Sequence, residues 1–158
     1  MKNDSNAYLT FALGSEKFAI KVDHVQEVVE FGQFTKVPHA PAYMLGIINL
    51  RGRVLPLLDT KLKLGLQATE RTQKSRIMVL DIQMSDEKSL QIGAMVDIAR
   101  EVVEISDSEI QEAPEFENLK TDAPITGIVN QQGDITMIMD IAKVFSVNDI
   151  VELNRSLN

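Results

Sequence analysis

"GIINLRGRVLPLLD", residues 46–59, returns as "GIVNQQGDITMIMD" at residues 127–140, so one phrase is written twice in the chain. Each copy is a pair of short apolar runs around an Asn-x-x-Gly corner and closes on an aspartate. Short runs rich in β-branched and aliphatic residues, interrupted by a glycine corner, predict two strands joined by a tight turn. A second pair of phrases keeps the same order: "VDHVQEVVEF" at 22–31 matches "VDIAREVVEI" at 96–105 in six of ten positions. Two matched blocks in one order predict an internal repeat, with two lobes of similar topology and roughly five strands each.

Working outward, "YLTFAL" and "KFAIKV" flank the short turn "GSE" and form a first hairpin, and "VQEVVEF" reads as a third strand. "VPHAPAY" holds two prolines in seven residues, which excludes a regular element there. "LGIINL" and "RVLPLLD" flank the corner at Arg51 and Gly52, with Pro56 marking an edge or a bulge. In the second half "RIMVLDIQ" and "KSLQIGAMV" flank the turn "MSDE", "REVVEI" follows, and "ITGIVN" and "DITMIMD" flank "QQG". Ser106 and Glu109 have capping-box spacing and predict one helical turn, while "APEFENLKTDAP" is a loop. Ser146 and Asp149, followed by apolar residues on one helical face, predict a C-terminal helix over about 146–157. The expected organisation is a single domain over 1–158, with one lobe over about 8–66 and the other over about 76–145. A unit this small buries little by itself, so the lobes pack together and can exchange strands.

The repeat sorts the residues. What both copies share is explained by the fold: Gly46 and Gly127, Gly52 and Gly133 suit positive φ or a close approach, and Asn49 and Asn130 can bond the backbone of the same turn. Asp59 and Asp140 can cap whatever follows the second strand. Gly46, Asn49 and Gly52 are therefore read as turn-shaping. Copy two turns with Gln131 and Gln132, so the backbone does not require Leu50 and Arg51. An exposed leucine beside a guanidinium, with its planar fork of donors, is a sensible docking point.

Composition narrows the class. The chain of 158 residues carries a net charge of -7 and no cysteine, which excludes disulfides and thiolate metal sites and argues against a general grip on nucleic acid. The charge is uneven: residues 51–76 sum to +5 and residues 77–158 to -11, a dipole suited to different partners at different ends. No stretch approaches the apolar length of a membrane span and no apolar run follows the N-terminal lysine, so a soluble cytoplasmic protein without membrane insertion is expected. No phosphate-loop, zinc-helix or nucleophile-elbow motif occurs, and His24 and His39 are a poor start for a metal site. No enzyme, cofactor or metal is expected. A nucleic-acid-binding small barrel is the competing class, motivated by the basic run 51–76, which has no aromatic residue to stack a base.

"GIINLRGRVLPLLD", preceded by "VPHAPAYML" and accompanied by "VQEVVE" and "EIQEAPEF", resembles the signature of the CheW family of bacterial chemotaxis coupling proteins over residues 8 to about 145. The resemblance implies a mainly all-β fold of two intertwined SH3-like barrels, without catalysis. It also implies a cytoplasmic bridge between chemoreceptor tips at membrane-associated arrays and the regulatory domain of the histidine kinase CheA. Carried over by position, Val25, Glu27 and Arg51, with Leu50 beside it, belong to the receptor-facing surface, and a pairing of Glu27 with Arg51 is open to the free protein. The kinase meets apolar patches at the barrel ends, to which no residue is assigned. Arg53, Arg76 and His39 depart from the family pattern and bear on partner preference. An adaptor of a non-flagellar chemosensory pathway is an alternative, as are the CheV-like and CheA chains that carry the same module. The absence of a further 120 or so residues for a receiver favours a free-standing adaptor.

Overall fold

The computed structural model describes residues 6–68, 70–83, 87–112 and 124–145. In chain order the strands are β1 (Ala7–Leu13), β2 (Glu16–Lys21), β3 (Val25–Glu30), β4 (Met44–Leu50) and β5 (Arg53–Asp59), then the short helix α1 (Thr60–Lys63). The second half supplies β6 (Arg76–Gln83), β7 (Ser89–Val96), β8 (Ile98–Glu104), β9 (Gln111–Glu112), β10 (Ile125–Gln131), β11 (Asp134–Met139) and α2 (Ile141–Val144). The mainly β class expected from the sequence is the one found. The expected helix over 146–157 lies outside the described residues, as do most of the "MSDE" turn and the loop "APEFENLKTDAP".

Two sheets divide the strands in the orders β3-β6-β7-β5-β4 and β8-β1-β2-β11-β10-β9. Each takes one hairpin from the other half of the sequence: β6–β7 sits between β3 and β5, and β1–β2 sits between β8 and β11. The seams are parallel and equivalent, Leu57 opposite Gly93 in one sheet and Ile138 opposite Ala19 in the other. Instead of five strands each, one sheet has a sixth, the two-residue β9; its counterpart in the other sheet is a single bridge from Thr35 to Ile47. Pro56 is not on an edge strand: β5 lies between β4 and β7, and the β7 ladder begins one residue later at Leu57, so the missing N–H interrupts no bond to β7.

Side-chain alternation builds three cores. On β6, Met78, Leu80 and Ile82 enter a core shared by both sheets, together with Leu9, Phe11 and Leu13 of β1 and Phe18 and Ile20 of β2. The alternate residues Ile77 and Val79 face a separate cluster with Ile48, Leu55 and Leu57, while Tyr8 and Ala19 join Ile105, Val129 and Ile138 in a third. Strands buried on both faces read as nearly continuous apolar runs, as "RIMVLDIQ" does. In the first sheet the edge strands meet in one cluster, Val29 from β3 packing with Leu45, Ile48 and Leu50 from β4. The sheet is curled until its ends share a core, which makes it a barrel.

Both Asn-x-x-Gly corners are two-residue turns. Arg51 and Gly52 have φ of 52° and 84°, Gln132 and Gly133 have 57° and 88°, and positive φ at both central positions matches the right-handed strand twist. Asn49 Oδ1 accepts from the Gly52 N–H at 3.0 Å, and Asn130 does the same for Gly133. Gly46 serves otherwise: it sits at a bulge against the Thr35 carbonyl, where a Cβ would overlap that oxygen. Asp59 caps α1 by accepting from the Lys61 and Leu62 N–H groups, and Asp140 caps α2 through Ala142. Ser106 and Glu109 form the capping box expected there, the Ser106 N–H donating to Glu109 Oε1 at 3.0 Å.

Candidate functional site

The corner between β4 and β5 carries the copy-specific pair Leu50 and Arg51. Arg51 Nη1 and Nη2 donate to Glu27 Oε2 and Oε1, each at 2.6 Å, a fork-to-fork pair. Glu27 stands on β3 and Arg51 at the tip of β4, the two ends of the first sheet's strand order, so the pair closes the barrel across a gap that no backbone ladder spans. The arginine side chain keeps 66% of its exposure and the glutamate 25%, which leaves the guanidinium face open to a partner. The Arg51 hydrogen bonds hold the Glu27 carboxyl below its ordinary value against the opposing effect of desolvation, with lesser help from the charges of Arg51 and Arg53. Glu27 in turn raises the Arg51 pKa, so both stay charged.

Around this pair lies a polar rim of which the sequence singled out Arg53 alone. Arg53 Nη1 donates to Gln91 Oε1 on β7, and Gln26 Nε2 donates to Asp81 Oδ2 on β6 at 2.6 Å. These side chains, with Val54, Leu55 and Leu90, line a shallow hollow of about 620 Å3 beside the corner. Val54 is 58% exposed, an apolar surface among charges. The repeat held a signal for the rim: Arg53 and Gln91 occupy the positions of Asp134 and Lys17, which form an ion pair at 2.6 Å on the other barrel. One contact is kept while its chemistry is exchanged.

Two expectations need adjustment. Leu50 is half-buried rather than exposed, because it packs on the first barrel's core beside Leu45 and Phe34. Val25 and Glu27 do not share a surface: the β3–β6 register shifts between them, Val25 opposite Leu80 and Glu27 opposite Val79, so the bulge turns Val25 toward the shared core. Glu27, Leu50 and Arg51 are brought together; Val25 stands apart. Asn49 and Gly52 shape the turn from behind, whereas Gly46, expected to do so, instead accommodates the Thr35 carbonyl at the β4 bulge.

The second barrel's corner differs. Glu101, in the position of Glu27, lines a hollow with Arg100, Gln131, Asp134 and Lys17, and among the described residues no arginine forks onto it as Arg51 does onto Glu27. Glu109 is held below its ordinary value first by the Ser106 N–H, then by the Ser106 hydroxyl, with a smaller contribution from the Gln131 amide. Among the described residues no group of His, Asp and Glu is spaced to hold a metal, and no helix is long and apolar enough to cross a membrane.

A paired-barrel interaction module, whose distinctive corner presents a fixed guanidinium and apolar surface instead of reacting groups, is the class that these observations define. The CheW-like domain family matches residues 7–149, and the chain belongs to it. It is 31% identical over 145 residues to the chemotaxis protein CheW of Rhizobium meliloti, covering 92% of this chain and 90% of that one. To the chemotaxis protein CheW of Bacillus subtilis it is 33% identical, covering 84% and 81%. The crystal structure of the scaffolding protein TtCheW from Thermoanaerobacter tengcongensis superposes with a TM-score of 0.77 at 29% identity, covering 92% of this chain and 96% of that one. As a member of this family the chain is a scaffolding module of chemotaxis and not an enzyme.

Proposed function

We propose that this protein couples the cytoplasmic tips of chemoreceptors to the regulatory domain of the histidine kinase CheA, in the cytoplasm at membrane-associated receptor arrays. The observation that carries the reading is the copy-specific corner: one barrel has the Glu27–Arg51 fork beside Leu50, and the other, with the same backbone turn, does not. A scaffold that bound both partners through its fold alone would have no use for this asymmetry.

In this reading Arg51 sets the register of the receptor helix and Leu50 and Val54 supply adhesion, while Val25 acts from the shared core by holding β3 in place. Glu27 keeps the guanidinium oriented before the partner arrives, so less side-chain freedom is lost on binding. A signal passes only if receptor and kinase bind the adaptor with different affinity in their two states. The test is a calorimetric titration of the purified protein with a CheA regulatory domain and with a receptor cytoplasmic fragment, singly and in sequence. Binding of both at once supports coupling; binding of one that excludes the other overturns it.

A further inference from the structure

The second barrel contains a half-enclosed hollow of about 300 Å3 lined by the apolar residues Ile110, Ile138, Met139 and Ile141, by the buried Tyr8, and by Lys21, His24, Thr126 and Asp140. Its volume is at the small end of the range of ligand pockets, about 300 to 1,000 Å3. At the matching place in the first barrel most of the corresponding side chains are apolar and packed on its core. Strand registers fix the correspondence: Tyr8 opposite Val103 answers to Ile77 opposite Val29, and Ile138 opposite Ala19 answers to Leu57 opposite Gly93. On that correspondence Lys21 replaces Met95, His24 replaces Ile98, Thr126 replaces Leu45, and Ile110 replaces Phe34. In the first barrel Phe34 and Leu45 pack onto the core with Leu57 and Ile77, and Met95 is 6% exposed.

Two departures therefore coincide in one place. Ile110 is smaller than the phenylalanine it answers to while Tyr8 is larger than Ile77, and three further apolar positions around the hollow have become polar. A barrel that needed only a filled core has the solution in its own other half, since an unfilled space forfeits dispersion contacts. The lining also carries both signs: Lys21 and Asp140 both border the hollow, with His24 and Thr126 beside them, and Asp140 uses Oδ1 to cap α2. A simple anion would meet Asp140 and a simple cation would meet Lys21. A molecule bearing both charges at one end and an apolar body at the other satisfies the charged and the apolar lining together.

We propose that this hollow binds a small zwitterion with an apolar side chain, of the free amino-acid class. Lys21 and Thr126 take the carboxylate, Asp140 takes the ammonium, and Ile110, Ile138 and Met139 surround the side chain. The test titrates the full chain with L-leucine, with leucinamide, which lacks the carboxylate, and with 4-methylpentanoate, which lacks the ammonium, following backbone amide NMR signals. L-Leucine should shift the signals of Ile110, Thr126 and Asp140 with a dissociation constant of about 1 mM or tighter, and each truncated probe should bind at least about tenfold more weakly. The double variant Ile110→Phe/Thr126→Leu, which writes the first barrel's residues into the second, should fold and lose the response. Lys21→Met gives an independent second variant with the same expected loss. No shift with L-leucine at about 20 mM overturns the site. Equal binding of either truncated probe overturns the zwitterion assignment, and undiminished binding by both variants overturns the location. Neither receptor nor kinase enters the experiment, so its outcome is separate from that of the coupling reading.

Discussion

Glu27 and Arg51 lie at opposite ends of the strand order of one sheet and meet through two hydrogen bonds of 2.6 Å across the open seam of the barrel. The pair is exposed and screened by water, so it acts on orientation more than on stability. Arg51→Glu should leave the thermal midpoint within about 2 °C of the parent. The swap Glu27→Arg/Arg51→Glu should restore an internal pair without restoring receptor binding, because the partner meets a carboxylate where the guanidinium stood. Calorimetry on the swap, beside a melting curve, checks both statements.

The same pair sets a pH dependence. Arg51 lowers the Glu27 pKa below its ordinary 4.5, so the folded state binds the proton less readily than the unfolded state. Its contribution is present above the ordinary carboxylate value and disappears as the pH falls through the lower folded value. Carbon-detected titration of the Glu27 carboxyl should show the depression, and Arg51→Gln should bring it back toward 4.5. For Glu109 the leading cause is the Ser106 backbone N–H, so Ser106→Ala should leave most of its depression in place.

Glycines of the doubled phrase should differ in cost. Gly46→Ala drives a methyl into the Thr35 carbonyl, a backbone atom with no freedom to move aside, and should cost about 3 kcal/mol. Gly52→Ala meets no atom and pays only for a left-handed residue, about 1 kcal/mol. Chemical denaturation of the two variants gives the comparison, and a reversed order would mean that the bulge at Gly46 yields more than its contacts suggest.

A buried pair joins the halves. Lys61 Nζ of α1 lies 3.5 Å from Asp97 Oδ2, which also accepts from the Gly14 N–H of the β1–β2 turn at 2.6 Å. The side chains are 11% and 16% exposed. Asp97→Ala leaves an ammonium short of its carboxylate and an amide short of its acceptor, and should cost about 2 to 3 kcal/mol. Lys61→Met added to it should recover part of the loss, which urea melts of the single and double variants would show.

Much of this was legible in the sequence because a hairpin is local. "GIINLRGRVLPLLD" contains both strands and the turn between them, and its second copy marked which residues the turn needs. The exchanged hairpins were left open for the converse reason: the parallel seams β5–β7 and β11–β2 join segments far apart in the chain, and runs buried on both faces, such as "RIMVLDIQ", carry no alternation to say which sheet they enter. The bulge between Val25 and Glu27 is invisible in "VQEVVE", whose spacing puts the two on one face; only the register with β6 separates them. Gln26, Asp81 and Gln91 are ordinary surface residues until the barrel brings their strands together at Arg53.

The central claim is that a single corner of the doubled fold faces the receptor. It is tested most directly by titrating a receptor cytoplasmic fragment into two proteins, Arg51→Glu and Gln132→Glu, which place the same charge at equivalent turns with φ of 52° and 57°. The account predicts that Arg51→Glu weakens receptor binding by about tenfold or more, near 1.4 kcal/mol, while Gln132→Glu binds as the parent does. Equal weakening in both, or none in either, would contradict it.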